Sequence, residues 1–392
     1  MKICYLISNL SQGRGGHFYS LRTTARALRE RCRVFVVDVG GAAPSPVLQE
    51  SGLPFHHICC DGLNVGPVFV QLIRILRQEA PDVLHAFDPT SHFFARVAAL
   101  VIRRPVLLTK CGGPNPRTYY PYAETLVAYS QENLRYFETR NKFRSTTIHL
   151  IPNRVSAISQ DPPRLHRLVS RLNLSGDCPT LLRIATLSAF HRESLLQSIR
   201  LAKRLNRDGH RCQLVVIGVR QDTAVVQEIE QLCDDTIRLV TEDEYTLNAA
   251  ALIDLADMVV GTGRSLMEAA ARGKVLLAPL AGHAYPVLVT PAILSQLFYY
   301  NFSTRAAIDG VSEEENIGAI VRLMLDSQLQ SAMRQQAAEW YHKYFAIETV
   351  VEQYHTLYRA AVRNHRHHPL DLTLHAAWYV RGLLHRYWLS RT

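Results

Sequence analysis

The segment MVVGTGRSLMEAAARGKVLLAP, residues 258–279, decides the fold. Its first three residues are apolar and mostly β-branched, which is typical of a short buried strand. Gly261 and Gly263 allow a sharp turn and leave no side chain in the way of a ligand. Good helix formers follow, and Gly273 stands where a helix commonly ends, just before four apolar residues of a second strand. The segment therefore predicts a strand, turn, helix and strand of a parallel α/β sheet.

A glycine turn that opens a helix is also a site for anions. Arg264 and Ser265 fall in the first helical turn, where backbone N–H groups and the helix dipole favour negative charge. Glu268 follows one turn later on the side of Arg264, and a carboxylate beside a phosphate site can bind a ribose diol. The same spacing also suits an ordinary parallel βαβ turn without a ligand, so both interpretations stay open at this point.

The composition indicates a globular chain of two ordinary domains, with 392 residues of which 47% are hydrophobic and 20% charged. The net charge of +10 favours anionic partners such as nucleotide phosphates, anionic lipid or nucleic acid. Outside the C-terminal tail, however, the basic residues are scattered, and the sequence contains no RNA- or DNA-binding motif. We therefore expect no nucleic-acid partner.

The cysteines and the apolar runs bear on the compartment. The eight cysteines show neither C-x-x-C nor zinc spacing, which favours small buried thiols in a reducing compartment. The first residues have the length of a strand and no secretory cleavage pattern follows them, and no apolar run reaches the ~18–20 residues of a membrane span. We therefore expect a cytoplasmic protein whose cysteines bind no metal.

Strands alternate with helices through most of the chain, which predicts an α/β fold of two Rossmann-like, doubly wound domains facing a central cleft. The segment 156–180 is polar and contains two prolines, so we place the linker there. The predicted divisions are an N-terminal domain over 1–160, a C-terminal domain over 175–340, a further helix over 341–363 and a tail over 364–392.

The tail mixes aromatic and basic residues, and residues 361–392 contain five Arg and one Asp. A helical arrangement brings Leu370, Leu374, Trp378 and Trp388 near one face, with Arg381, Arg386 and Arg391 nearby. This pattern fits an amphipathic helix on the inner face of a membrane, and it fits equally a helix packed on the protein body or on a partner surface, so both interpretations stay open. The histidines among residues 365–368 could bind metal, but a solvated linker is favoured.

Polar residues follow two predicted strands of the N-terminal domain. Gly15, Gly16 and His17 come after the strand that begins at Lys2, and His85 and Asp88 come at or after the strand that begins at Asp82. Ligands of open α/β sheets bind at such strand ends, so these residues are candidates for phosphate, sugar or acceptor contacts. The alternatives are a backbone-bonded His85, a solvated His17 and an Asp88 that caps the next helix.

Six motifs in this order resemble those of the GT-B glycosyltransferases, specifically the retaining group 1 or family 4 type. They are the loop Gly13–His17, Asp82-Val83-Leu84-His85-Ala86, Val127-Ala128-Tyr129-Ser130, Ile151-Pro152-Asn153-Arg154-Val155, the segment 261–279 and the helical segment from Tyr344 to Tyr358. Together they cover about residues 1–360. Each motif is weak by itself, but the set is specific for the superfamily, although not for the donor or the acceptor.

The resemblance implies that a nucleotide-diphosphate sugar binds the C-terminal domain and that the acceptor, a glycan or a lipid-linked molecule, binds the N-terminal domain. Glu268 then matches the glutamate that holds the donor ribose. The residues implied at the diphosphate are Gly15, Gly16, His17, Thr186, His191, Arg192, Gly218, Gly261, Gly263, Arg264 and Ser265, and those implied at the base are Arg238, Val240 and Thr241. Backbone N–H groups, Arg264 and Arg192 would stabilise the departing diphosphate, so no cofactor other than the co-substrate is implied.

The sequence departs from the family pattern at the groups that handle the sugar. Val260 stands where the first glutamate of the family's E-x7-E motif belongs, and Cys111 stands in place of a histidine. The Arg and Lys pair after the first C-domain strand is replaced by Thr186 and by His191-Arg192.

A retaining glycosyltransferase is therefore the first hypothesis, with catalytic candidates His85, Asp88 and Glu268. A hydrolysing epimerase of the same fold and a catalytically silent nucleotide-sugar-binding protein are the alternatives. The epimerase would release nucleotide diphosphate without an acceptor, and the silent protein would bind the donor and never turn it over.

Overall fold

The computed structural model describes residues 1–10, 12–117, 119–308, 310–365 and 372–389. The chain divides into two compact units. Unit 1 comprises Met1–Asn153 together with Val350–Thr392, and unit 2 comprises Arg154–Thr349. Each unit is built on its own sheet, so the chain contains two separate α/β folding units.

The sheet of unit 1 has seven parallel strands in the order β3-β2-β1-β4-β5-β6-β7. The central strands are apolar and almost completely buried, as expected when helices cover both faces of a parallel sheet. The strands are β1 (Lys2–Asn9), β2 (Arg33–Gly40), β3 (Phe55–Cys59), β4 (Val83–Ala86), β5 (Val106–Lys110), β6 (Thr125–Ala128) and β7 (Thr147–Leu150).

The helices of unit 1 connect these strands and begin at residues that suit a helix start. Asp88 caps α4 and Pro89 follows as its first residue, while the hydroxyl of Ser130 caps α5. The connecting helices are α1 (Gly16–Leu28), α2 (Pro46–Gln49), α3 (Val65–Glu79), α4 (Pro89–Ile102) and α5 (Gln131–Glu138), with a 3₁₀ turn at Asn141–Phe143.

The sheet of unit 2 has six strands in the order β10-β9-β8-β11-β12-β13, and all pairs are parallel except the last. The strands are β8 (Thr180–Ile184), β9 (Gln213–Ile217), β10 (Ile237–Val240), β11 (Met258–Val260), β12 (Val275–Ala278) and β13 (Val287–Leu288). Both units thus have a doubly wound, Rossmann-like sheet, which confirms the predicted fold class.

The helices of unit 2 flank this sheet. They are α6 (Pro162–Leu172), α7 (Arg192–Arg207), α8 (Thr223–Leu232), α9 (Asp243–Thr246), α10 (Arg264–Ala271), α11 (Pro291–Tyr299), α12 (Glu313–Leu325) and α13 (Ser327–Trp340), with a 3₁₀ helix at Ala249–Leu255. The segment predicted as a linker contains α6, whose Leu168 and Leu172 are buried in the core of unit 2. The structural division therefore lies at Asn153, before the predicted linker.

The chain leaves unit 2 through a π-helical turn, Tyr341–Phe345, and the helix α14 (Glu348–Asn364). From Val350 onward this helix belongs with unit 1, where Tyr354 and Tyr358 are buried. The Tyr358 hydroxyl lies 3.0 Å from the hydroxyl of Tyr5 and 2.8 Å from Nδ1 of His85. These buried hydrogen bonds tie the helix to β1 and β4.

The tail forms α15 (Leu372–Leu389), which packs on α4 of unit 1. Its Tyr379 ring stacks on Phe93 with the ring centroids 4.8 Å apart, and Nε2 of His375 lies 2.9 Å from the carbonyl oxygen of Pro89. One side of α15 is therefore a packed helix face, which the sequence analysis had offered as the alternative to a membrane helix. Leu374, Val380 and Leu384 remain 60%, 53% and 58% exposed on the tail helix.

The grouping of Leu370, Leu374, Trp378 and Trp388 on one membrane face is wrong for Trp378, which is half-buried and packs against the apolar core of unit 1. Residues 366–371 and 390–392, and the side chains of residues 386–389, lie outside the described residues. His365 lies 3.2 Å from a carboxylate oxygen of Glu124. Within the described ranges, no helix has the length and apolarity needed to cross a membrane.

The strand order fixes where a ligand can bind in each unit. In unit 1 the connections diverge between β1 and β4, and in unit 2 they diverge between β8 and β11. Each of these places is the topological switch point of its sheet. Crevices for ligands form at the carboxyl ends of such strand pairs. The two places are therefore the loops after β1 and β4 in unit 1, and the loops after β8 and β11 in unit 2.

Candidate functional site

The turn between β11 and α10 has a backbone that glycine alone adopts readily. Gly263 has φ +51° and ψ −118° and caps α10. Its N–H donates to the carbonyl oxygen of Phe302 at 2.8 Å, and the N–H of Gly261 donates to the carbonyl oxygen of Leu277 at 2.9 Å. These bonds fix the turn between the end of the sheet and the loop after α11.

Ser265 closes the turn with its own hydroxyl. The hydroxyl accepts from the N–H of Thr262 at 2.9 Å and lies 3.0 Å from the carbonyl oxygen of the same residue. Amides open to a diphosphate were expected at Gly261, Gly263 and Ser265, and the structure corrects this expectation. The N–H groups of all three are bonded inside the protein, so an anion would have to displace the Ser265 hydroxyl to reach the Thr262 amide.

Arg264 and Glu268 form an ion pair one helical turn apart, as their spacing predicted. Nε of Arg264 lies 2.6 Å from Oε1 of Glu268, and the side chains are 12% and 11% exposed. Nη1 of Arg264 also reaches the carbonyl oxygen of Arg154 at 3.4 Å. The pair is held at the rim of unit 2, so its carboxylate and its guanidinium could both turn to a ligand at the carboxyl end of β11.

The loop after β8 contributes less charge than expected. Thr186 is half-buried in this loop, and His191 precedes the first residue of α7. Burial and the nearby charge of Arg183 lower the pKa of His191 to about 4, so the ring is neutral at pH 7. Nε of Arg192 lies 2.6 Å from Oε2 of Glu228. Arg192 is thus paired with a carboxylate on the surface of α7 and α8, and its assignment to the diphosphate stays a prediction.

Arg183, which the sequence analysis did not single out, lies in the interior beneath these loops. It is fully buried in β8, where its Nη1 donates to the carbonyl oxygen of Val260 at 3.3 Å. Its Nη2 donates to the hydroxyl of Ser194 at 2.8 Å. The one signal in the sequence is an arginine inside the apolar strand Thr-Leu-Leu-Arg-Ile.

Three of the positions assigned to the base or the phosphates have structural roles. The Val240 side chain is buried in the core, and the guanidinium of Arg238 donates to the carbonyl oxygen of Asp234, which precedes β10. A methyl group on Gly218 would lie 2.2 Å from the carbonyl oxygen of Ala185. The Arg238 side chain therefore points to the opposite end of β10, the Val240 side chain fills the core, and Gly218 lies at the carboxyl end of β9 with its backbone packed closely on Ala185.

Thr241 remains at the surface end of β10. Its hydroxyl oxygen accepts from Nε of Arg220 at 3.0 Å. A threonine hydroxyl and a guanidinium at a strand end offer both an acceptor and donors to a nucleobase edge. Of the predicted base-binding residues, Thr241 is the one that the structure leaves in a position to do so.

In unit 1 the glycine loop brings His17 close to the backbone at the start of α1. A methyl group on Gly15 would lie 2.7 Å from Cε1 of the His17 ring, whereas Gly16 is exposed and has open space around it. Desolvation lowers the pKa of His17, and the negative charge of Asp88 partly offsets that effect. The loop therefore presents a neutral imidazole beside an open stretch of backbone.

The catalytic roles expected for His85 and Asp88 are corrected by their surroundings. His85 is completely buried, with Nε2 2.6 Å from Oγ1 of Thr109 and a pKa lowered to about 3 by burial. The Asp88 carboxylate accepts from the backbone N–H and the hydroxyl of both Ser8 and Ser91 at 2.8–2.9 Å. Both residues therefore stabilise the switch point of unit 1, where the carboxyl ends of β1 and β4 meet.

Comparison with known proteins places this architecture in a class. The chain is similar to the Anabaena Alr3699/HepE structure in complex with UDP and glucose, with a TM-score of 0.67, 16% identity and coverage of 92% of this chain and 100% of that chain. It is also similar to a glycosyltransferase from Rickettsia africae, with a TM-score of 0.67, 13% identity and coverage of 93% and 99%. It is similar as well to a Neisseria meningitidis UDP-GlcNAc 2-epimerase bound to UDP-GlcNAc, with a TM-score of 0.55, 14% identity and coverage of 91% of this chain and 100% of that chain.

These likenesses show that the chain has the GT-B fold of two Rossmann-like domains, as the sequence motifs suggested. Residues 14–157, which lie mostly in unit 1, match the family model of Glycosyltransferase Family 4. No curated protein sequence matches the chain. The resemblance to GT-B glycosyltransferases is thereby confirmed.

Proposed function

We propose that the protein is a glycosyltransferase that moves a sugar from a nucleotide-diphosphate donor to a glycan or lipid-linked acceptor. The observation that carries the proposal is the Arg264–Glu268 pair behind the glycine turn, at the carboxyl end of β11. A guanidinium and a carboxylate at this place match the needs of a diphosphate and a ribose diol. Structures similar to this chain contain UDP, UDP and glucose, or UDP-glucose.

In the proposed complex, different side chains of unit 2 bind different parts of the donor. Arg264 turns from Glu268 to the diphosphate, the released carboxylate accepts from the ribose hydroxyls, and Thr241 lies toward the base. As the bond from the sugar C1 to the β-phosphate oxygen breaks, negative charge grows on the diphosphate and the acceptor hydroxyl oxygen bonds to C1. The proton of that hydroxyl passes to the departing diphosphate oxygen. Arg264 stabilises that charge, so the proposed reaction needs no cofactor beyond the donor.

The proposal extends to retention at C1 and to a hexose as the transferred sugar, both of which rest on the resemblance to the family 4 type. The unit 1 loop at Gly16 and His17 is the proposed acceptor region, because it offers exposed backbone and a neutral imidazole. Retention is checked by the anomeric configuration of the product in NMR spectra. An inverted product would overturn that part of the proposal and leave the donor assignment intact.

Two alternatives are favoured by specific observations. Hydrolysing epimerase chemistry is suggested by the likeness to UDP-GlcNAc 2-epimerases, and catalytic silence is suggested by Val260, which is buried where the family places a glutamate. Release of UDP from UDP-sugars, measured with and without glycan acceptors, separates the three functions. A transferase releases UDP with an acceptor and forms a glycoside, an epimerase releases UDP without one, and a silent protein binds the donor and releases nothing.

The proposal further includes contact with an anionic membrane surface through the outward face of α15, where Leu374, Val380 and Leu384 are exposed beside Arg381. Because α15 also buries Tyr379 in unit 1, the test is substitution rather than deletion. Leu374→Asp with Leu384→Asp should move the protein from phosphatidylglycerol vesicles to the supernatant. Leu325→Asp in unit 2, at a residue also exposed, is the control.

Equal sedimentation of the tail double variant, the control and the unaltered chain with such vesicles would contradict the membrane part of the proposal. The donor site would stand, since it lies in unit 2.

A further inference from the structure

Arg183 is a buried cation whose hydrogen bonds, among the residues that the structure describes, all go to neutral groups. Its guanidinium donates to the carbonyl oxygen of Val260 and to the hydroxyl of Ser194. Its Nε has no hydrogen-bond partner in the part of the chain that the structure describes. It is the largest of the fully buried side chains among those residues. A charged group is therefore held in the interior of unit 2 without a carboxylate against it.

The arginine keeps its charge in this position. Burial lowers the pKa of the Arg183 guanidinium to about 10, which leaves the group protonated at pH 7. A buried charge without a counter-ion costs free energy, since the protein interior solvates it less well than water does. Perturbed buried charges cluster at functional sites, and a bound anion would offset this cost.

The place of Arg183 in the fold connects it with the candidate donor site. Val260 is the last residue of β11 and comes directly before the glycine turn, and Ser194 lies in the first turn of the sixteen-residue helix α7. The guanidinium thus lies under both loops that border the switch point between β8 and β11. The N-terminus of α7 adds the positive end of a helix dipole at the same place.

Three other basic residues near this end of the sheet are paired or neutral, and Arg264 reaches a diphosphate only after it leaves Glu268. Arg264 is paired with Glu268, Arg192 is paired with Glu228, and His191 is neutral at pH 7 partly because Arg183 is near. The family pattern would place an arginine at Thr186, which is uncharged. Arg183 therefore supplies positive charge where the residues of the loop above it do not.

We propose that Arg183 is the positioning residue that gives the switch point of unit 2 its affinity for a diphosphate, by stabilising the anion from beneath the two loops. The inference rests on the proposed function, because the diphosphate is that of the donor. It assigns the charge to a buried side chain that acts through the interior of the sheet and through the hydroxyl of Ser194. The effect should follow the charge of the ligand and not its base.

The test compares ligands of different charge on the full chain. Dissociation constants for pyrophosphate, UDP and uridine are measured by calorimetry for the unaltered chain, Arg183→Met and Arg183→Lys. Arg204→Met, which removes a half-buried charge that is paired with Asp208 and Glu314 near the C-terminal end of α7, is the charge-matched control. Arg183→Met should raise the dissociation constants of pyrophosphate and UDP roughly tenfold or more, as expected for the loss of one charge near a polyvalent anion. Uridine affinity should not change, and Arg183→Lys should restore diphosphate binding.

The outcomes separate this inference from the proposed function. In one outcome, the unaltered chain fails to bind UDP while its pyrophosphate binding still depends on Arg183. That result would overturn the proposed nucleotide-sugar donor but support Arg183 as a residue that stabilises a bound anion. Equal pyrophosphate affinity of the unaltered chain and Arg183→Met would overturn the inference.

A further control concerns whether the Arg183 variants fold. If Arg183→Met does not fold, Arg183→Gln, which keeps N–H donors for Val260, takes its place in the same comparison. Failure of both neutral variants to fold, with Arg183→Lys folded, would assign the guanidinium to structure and also overturn the inference.

Discussion

Replacement of Asp88 by alanine should destabilise unit 1 and not merely slow a reaction. The carboxylate accepts four hydrogen bonds, two from Ser91 at the start of α4 and two from Ser8 at the end of β1. Loss of the helix cap costs about 0.5–2 kcal/mol, and a donor left without its partner at Ser8 costs about 1–3 kcal/mol. We therefore expect the free energy of unfolding to fall by about 1.5–5 kcal/mol.

The assay is urea unfolding followed by circular dichroism. Ser130→Ala is the matched control in the same unit, because the Ser130 hydroxyl caps α5 through a single bond to the N–H of Asn133 at 3.1 Å. That variant should lose about 1 kcal/mol. The difference between the two variants measures what Asp88 contributes by joining β1 to α4. An Asp88→Ala protein as stable as the unaltered chain, but without transferase activity, would refute this reasoning and return Asp88 to the catalytic residues.

Gly263→Ala should destabilise unit 2 by about 1–3 kcal/mol, since alanine adopts the backbone angles of this turn only with strain, and thermal unfolding measures the loss. Gly16→Ala, in open space at the start of α1, is its control and should not destabilise. The buried His85 has a pKa of about 3, whereas in the unfolded chain it titrates near about 6.5. Its contribution to stability is therefore complete above pH 6.5 and falls by up to about 1.4 kcal/mol per pH unit as the pH drops toward 3. His85→Asn should flatten that slope in unfolding measured against pH, and an unchanged slope would contradict the assignment.

The sequence predicted β11 and β12 to the residue, because glycine turns and apolar runs are dense in segment 258–279. The helix α6 was missed for a related reason. Pro162 and Pro163 were interpreted as signs of a linker, but prolines are also favoured in the first turn of a helix, and Asp161 caps this one. Local chemistry was thus sufficient where the signals agreed and misleading where one signal had two meanings.

The site was harder to predict than the fold, because a position at a strand end does not give the direction of a side chain. Arg238 lies on the predicted strand, but its guanidinium turns to Asp234 at the opposite end. Arg192 follows the expected loop, but Glu228 comes from a helix thirty-six positions away and neutralises it. The spacing of Arg264 and Glu268 was sufficient because both lie on one helix, where an interval of four residues fixes contact.

The role of Glu268 in nucleotide binding tests the central claim most directly. Calorimetry of UDP with the unaltered chain, Glu268→Ala and Asp208→Ala gives the comparison, since Asp208 also pairs with an arginine four residues away but on the exposed end of α7. The account predicts that Glu268→Ala weakens UDP binding by about 1–3 kcal/mol, as the loss of a charged hydrogen bond should, and that Asp208→Ala has no effect. A folded Glu268→Ala protein that binds UDP as tightly as the unaltered chain would contradict it.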